Sequence, residues 1–182
     1  HIAAGGPRMR RMTAQSNSHW ISIYATPEQV QADARAMDDA YREAGKEPNN
    51  FRKTAYVFGS LIREGETYDS PRVRQQAGPT AVMVLHNLME RQYGDLGTGG
   101  IEDEELLSAY QALYDSYEPD DLRYLSLHRG HALFLREEEE PLVSGDCICN
   151  VSCSGTVDKL ADRALVLEHL GVTNVCFSVL PH

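Results

Sequence analysis

Short apolar runs alternate with longer amphipathic stretches along this chain. Residues 1–4 (HIAA), 19–24 (HWISIY), 53–62 (KTAYVFGSLI) and 173–180 (TNVCFSVL) are compact and rich in β-branched or aromatic side chains, the composition of buried strands. Between them the apolar period lengthens to that of a helix. In the stretch from Ala25 to Lys46, Val30, Ala34, Met37, Tyr41 and Ala44 form one stripe at three- and four-residue spacing. Thr26 is a suitable N-cap, Pro27 a suitable first helical residue, and Gln29 completes a capping box; Gly45 ends the helix.

Other helices follow from similar signals. Gly5-Gly6-Pro7 turns the first strand into the helix RMRRMTAQ, with Pro7 at its first position. Residues 72–93 read as a helix kinked or restarted near Gly78-Pro79. A loop at 94–100 leads into an acidic helix that turns Leu106, Leu107, Tyr110, Leu113 and Tyr114 inward. Residues 118–155 have no clean period and read as an insertion of short helices and loops. Its REEEEP run (136–141) reads as a solvated charge cluster, and CICNVSC (147–153), by its period-2 alternation, as a strand. Thr156 then caps a last helix with Val157, Leu160, Ala161, Ala164 and Leu165 as its apolar stripe; Gly171 ends it.

The order β-α-β-α-β-α-(insertion)-α-β implies an α/β fold of about four parallel strands joined by right-handed crossovers, with the insertion between the last two strands. Such a chain makes a small open sheet or half of an eight-stranded barrel. At 182 residues it reads as a single domain, 1–182: the first three strands in 1–64, a helical and insertion region in 65–154, and the closing helix and last strand in 155–182.

The apolar fraction of 42% suffices for a core, and the net charge of -10 disfavours a general nucleic-acid or anionic-membrane binder. With no transmembrane-length run and no signal-peptide pattern, a cytoplasmic location is expected. Cys147, Cys149 and Cys153 form a C-x-C-x3-C group without the second pair of a structural zinc site, so they read as reduced, buried or half-buried thiols, and no metal site is assigned.

Two places carry candidate chemistry. Strand, Gly5-Gly6 and a helix start leave backbone N–H groups aimed at one spot, where the helix dipole adds positive character; the geometry repeats at Tyr24-Ala25-Thr26-Pro27. Adjacent helix N-termini of this kind could hold one phosphate, although Gly5-Gly6 is equally a tight turn and Thr26 an ordinary cap, and neither is a G-x-G-x-x-G fingerprint or a P-loop. His128 and His131, in HRGH, either line a site mouth with Arg129 or fix backbone carbonyls in the insertion. His19 and His86 read as surface or interface residues, and Trp20 as packing.

The stretch from His1 to Pro48, with AAGG (3–6), TPEQ (26–29) and EAGKEP (43–48), resembles the fifth and sixth βα-units of the luciferase-like monooxygenase superfamily. HRGH (128–131) and GTVDKLADRALVLEHLGV (155–172) are similar to the closing region of its deazaflavin branch, the methylenetetrahydromethanopterin-reductase-like proteins. The resemblance spans nearly the whole chain and is weakest between 65 and 120. Where the family commonly has ADGW, this chain has Asn17-Ser18-His19-Trp20.

The resemblance implies the C-terminal half of a (β/α)8 TIM barrel that uses FMN or coenzyme F420. It implies that Ala4, Gly5 and Gly6, with Tyr24, Ala25 and Thr26, cradle the cofactor phosphate. The activity implied is that of a flavin- or deazaflavin-dependent oxidoreductase or monooxygenase acting on a small molecule, with His128 and His131 the candidates for catalysis from this half. The expected partner is a polypeptide carrying the N-terminal half, or a second copy in a homodimer; neither nucleic acid nor membrane is expected. Two other readings stand beside it: a non-catalytic half-barrel or interaction protein without cofactor, and a thiol or metal protein built on the cysteines.

Overall fold

The computed structural model describes residues 1–23, 27–90 and 101–180. Two compact units emerge: one from His1–Val57 with Asp158–Ser178, the other from Phe58–Val157 with Val179 and Leu180.

In the first unit, β1 (Ile2–Ala3), β2 (Trp20–Ile23), β3 (Lys53–Phe58) and β4 (Asn174–Ser178) form a four-stranded parallel sheet in that order. Ile2 pairs with Trp20, and Trp20 with Lys53. Sequence neighbours are sheet neighbours because a helix crosses between each pair of the first three: α1 (Pro7–Gln15) and α2 (Pro27–Glu43). Pro7 and Pro27 both stand at the first helical position. Gly45 adopts φ +72° just past α2, the left-handed turn that glycine accepts without strain.

The core of this unit joins Ala4, Ala14, Trp20, Met37, Ala40 and Tyr41, with Phe51 packed against them. Tyr41 stacks on Phe51 at 4.2 Å between ring centroids and donates its hydroxyl to Ser18 O at 2.8 Å. Burial, helped by the charge of Asp38, raises the Tyr41 pKa to about 12. The α2 stripe faces inward as its spacing predicts, with Val30, Ala34, Met37 and Tyr41 buried. Gln29 donates to Asp33 at 3.0 Å; its expected partner Thr26 lies outside the described residues. Buried Lys53 pairs with Asp38 at 2.6 Å, and Thr173 clamps its backbone from both sides, starting the β4 ladder.

The last helix, α7 (Val157–His169), departs from expectation. Val157 (67% exposed) and Leu165 (54%) lie outside, and Leu167 is its buried residue. Periodicity finds an apolar face, but whether that face is covered depends on what packs there. Val175 and Phe177 of β4 are exposed too.

In the second unit, α3 (Pro71–Glu90) runs through the core. It is one continuous helix with Pro79 inside it, not two restarted pieces. Next to it, Gly78 lets Leu135 pack close to the helix: a β-carbon there would stand 2.5 Å from Leu135 Cδ1. Around α3 lie α4 (Glu104–Asp115), α5 (Arg123–Leu127) and α6 (Gly145–Val151). Buried Leu106 and Tyr110 of α4 join the core, and Leu107, Leu113 and Tyr114 pack against it. The expected loop at 94–100 lies outside the described residues.

The cysteine-rich segment is a helix, not a strand. Ser144 caps α6 by accepting from Cys147 N at 3.1 Å, and buried Cys147 and Ile148 face the α3 core. Over so short a run, a cap and one buried turn outweigh apparent alternation. Cys147 is buried, which raises its thiol pKa to about 11. Cys153 follows the helix, where the chain pairs with Phe58–Ile62; Gly155 forms a parallel bridge with Leu61. There a β-carbon on Gly59 would lie 2.1 Å from the Cys153 carbonyl oxygen, so the two backbones touch.

Candidate functional site

The sheet positions the first candidate site. Because β1 and β2 are parallel neighbours, α1 and α2 both begin beyond the same edge of the sheet. Ala4 is buried, and its carbonyl accepts from Trp20 Nε1 at 3.0 Å. That bond ties the turn after β1 to the core residue of β2. Gly5 and Gly6 are exposed beyond it, and a β-carbon on either would meet no atom within 4 Å.

Gly6 is the N-cap of α1, with φ -110°, so its backbone does not require glycine. What glycine does is leave the helix start without a side-chain cap and without bulk. The first turn of α1 has no acidic residue, and Arg8, Arg10 and Arg11 stand on this helix. Arg10 is drawn back into an ion pair with Asp33 of α2, while Arg8 and Arg11 are exposed. An open backbone surface, an uncapped helix start and two exposed guanidinium groups suit a phosphate. Tyr24, Ala25 and Thr26, the other expected members of the cradle, lie outside the described residues.

The second site lies in the other unit. His86 and Glu90 stand one turn apart on the inner face of α3, His128 caps the end of α5, and His131 follows three residues later. Gly130 (φ +88°) and Ala132 (φ +57°) flank His131 and fold the chain back on itself. For alanine that conformation costs about 1 kcal/mol or more, so the turn is held by its surroundings. His131 Nδ1 then lies 2.7 Å from His86 Nδ1 and 3.0 Å from His128 Nδ1.

Carboxylates anchor two of these rings from behind. His128 Nε2 meets Glu90 Oε2 at 2.9 Å, and His86 Nε2 meets Glu139 Oε1 at 3.3 Å. Since a carboxylate only accepts, both Nε2 atoms carry the proton, and in the neutral rings both Nδ1 atoms present lone pairs. Hydrogen bonding closes when His131 places its one Nδ1 proton between them.

Glu139 is also held by Arg136, whose side chain and backbone N–H both donate to it, and by Tyr110 Oη at 2.6 Å. Burial alone would raise the Glu139 pKa, but the donors from His86, Arg136 and Tyr110 outweigh it and bring it down to about 2. Burial lowers the pKa of His86, and burial with the two neighbouring imidazoles lowers that of His131.

Sequence reasoning singled out His128 and His131 but left His86 among surface or interface residues; it is 1% exposed. The solvated reading of REEEEP is corrected as well, since Arg136 and Glu139 are buried as a pair. The available signal was the i, i+4 placement of His86 and Glu90 on the largely apolar second half of the α3 face, beside Val82 and Leu85.

The fold places this chain among known structures. It is similar to the coenzyme F420 dependent tetrahydromethanopterin reductase of Methanopyrus kandleri, with a TM-score of 0.58 at 18% identity, over 95% of this chain and 42% of that one. It is similar also to an F420-dependent secondary alcohol dehydrogenase in complex with an F420-acetone adduct, with a TM-score of 0.50 at 15% identity, over 96% of this chain and 41% of that one. The chain therefore shares the α/β fold of part of these structures, with four parallel strands, and spans about two fifths of the solved structures it matches. No protein-family model matches the sequence, and no curated protein does.

Proposed function

We propose that this chain supplies the cofactor-phosphate-binding part of a deazaflavin- or flavin-dependent oxidoreductase. The observation that carries the reading is the open, uncapped start of α1 beside the Gly5-Gly6 turn, in a fold shared with F420-dependent enzymes. Backbone N–H groups of Gly5, Gly6 and the first turn of α1 bind the phosphate, with Arg8 and Arg11 adding charge. Tyr24, Ala25 and Thr26, which precede α2 in the sequence, are the further members proposed for the cradle. The cofactor, when bound, supplies hydride transfer at its ring; the chain's own residues anchor the tail and thereby fix where the ring lies.

The missing length of barrel comes from a companion segment. The exposed apolar residues of α7 and β4, Leu165, Val166, Val175 and Phe177 among them, are what such a segment covers.

Coenzyme F420, FMN, riboflavin and the phosphate-free deazaflavin riboside are to be titrated into the natively purified protein, with any polypeptide that accompanies it. Binding of one phosphate-bearing cofactor, at least about tenfold tighter than its phosphate-free analogue, supports the reading. Equal affinity for both forms, or no binding of any of the four, overturns it.

A further inference from the structure

We propose that His86, His128 and His131 form a binding site for a transition-metal ion of the Zn²⁺ class, held by three imidazole nitrogens with a fourth position left for water or a small ligand. One ring nitrogen from each residue lies within 4.8 Å of the other two, and among the described residues these three form the one group with such an arrangement. The cysteines of α6, which the sequence brings closest together, do not form one.

Proximity alone would fit an ordinary hydrogen-bonded cluster, but the arrangement behind the rings goes further. Glu90 and Glu139 each engage the far nitrogen of one imidazole. A carboxylate on the far nitrogen is the usual support of a metal-bound histidine: it fixes the tautomer, orients the ring and raises the basicity of the ligating atom. Here it directs the Nδ1 lone pairs of His86 and His128 toward the Nδ1 of His131. A metal ion would take the place of the single proton that otherwise lies there.

The spacing is close to what ligation needs. Zn–N bonds in a tetrahedral site set the nitrogens about 3.4 Å apart. The Nδ1 atoms of His86 and His128 lie 2.7 and 3.0 Å from that of His131. Ligation would open the two separations to His131 by about half an ångström and bring the ligand atoms of His86 and His128, now within 4.8 Å, to a similar spacing; His131 sits on a turn and can move, whereas His86 is locked in a helix. An all-imidazole set suits Zn²⁺, Co²⁺, Ni²⁺ or Cu²⁺ and does not suit Mg²⁺ or Ca²⁺. Three protein ligands leave a position open, as in zinc sites that bind an exchangeable ligand.

Zn²⁺ competition against a chromophoric chelator is the decisive measurement, made on chelator-stripped, natively purified protein. Co²⁺ absorption serves as the second readout. One equivalent is expected to bind, with visible Co²⁺ bands of tetrahedral intensity. His131→Ala and His128→Ala should weaken binding at least about 100-fold, and Glu90→Gln about tenfold. Cys147→Ser and Cys149→Ser should leave it unchanged.

His131→Ala is the primary variant because its ring is on the turn, and circular dichroism confirms that it folds. His86→Ala is avoided, since it opens a void and strips a partner from Glu139. Wild-type affinity no tighter than that of folded His131→Ala overturns the proposal, as does equal loss in Cys149→Ser. If His131→Ala does not fold, His128→Ala decides by the same criterion, and if neither folds, Glu90→Gln binding as tightly as wild type overturns it. The proposal uses residues of the second unit alone, so metal binding without cofactor, or cofactor without metal, separates it from the function proposed above.

Discussion

The indole of Trp20 donates to the carbonyl of Ala4 at 3.0 Å, joining the start of β2 to the turn that follows β1. Trp20 is fully buried, so this bond fixes the turn from inside the core. Trp20→Phe removes the donor and leaves the buried carbonyl unpaired. Stability should fall by about 2 kcal/mol, and phosphate-bearing cofactor should bind more weakly as the turn loosens. Denaturant melts and cofactor titration on the same preparation check both effects.

Gly6→Asp separates helix capping from anion binding. A carboxylate at the N-cap position should bond the open N–H groups of α1 and raise stability by about 0.5 kcal/mol. The same charge would stand where the cofactor phosphate is proposed to bind, and affinity should drop by at least about tenfold. Higher stability with unchanged cofactor affinity would place the phosphate elsewhere.

Gly59 is constrained where Gly6 is not. Gly59→Ala drives a β-carbon to 2.1 Å from Cys153 O, and the backbone has no flexible neighbour to yield. A loss of more than about 3 kcal/mol is expected. Gly6→Ala meets nothing within 4 Å and should melt within about 0.5 kcal/mol of wild type. Parallel thermal melts of the two variants test the contrast.

Tyr41 gives the first unit an alkaline limit. Its pKa is raised to about 12 by burial and by Asp38, whereas in the unfolded chain it ionises near the ordinary value of about 10. The unfolded state therefore loses its proton first. The contribution is complete below about pH 10 and is lost as pH rises toward 12. Tyr41→Phe should cost about 1 kcal/mol at neutral pH through the lost bond to Ser18. It should also flatten the decline of stability above about pH 10. Urea melts across that range, with ultraviolet titration of tyrosinate, provide the measurement.

The cysteines should differ in reactivity. Cys147 is buried and its thiol pKa is raised to about 11, so at pH 8 it is protonated and shielded. Cys176 is exposed on β4. Iodoacetamide at pH 8 should label Cys176 at least about tenfold faster than Cys147, which should react only on unfolding. Peptide mapping by mass spectrometry reads the two sites separately.

Strands, crossover helices and the β1–α1 turn were legible in the sequence because the signals that make them are local. Pro7 and Pro27 begin helices wherever such a chain folds, Gly45 and Gly171 end them, and the spacing from Val30 to Tyr41 defines an inward face from within one helix. The histidine cluster was not legible, because His86 and His131 are 45 positions apart and meet through the left-handed turn at Gly130 and Ala132. Burial of Glu139 inside a run of like charges depended on Tyr110 and His86 arriving from two other points of the chain to join Arg136 of the same run. Exposure of Leu165, like the helical state of Cys147–Val151, turned on which neighbours were present. Periodicity and capping are properties of consecutive residues and can be read in order. Which face is covered, and which titratable groups share a cavity, is decided only when distant segments pack.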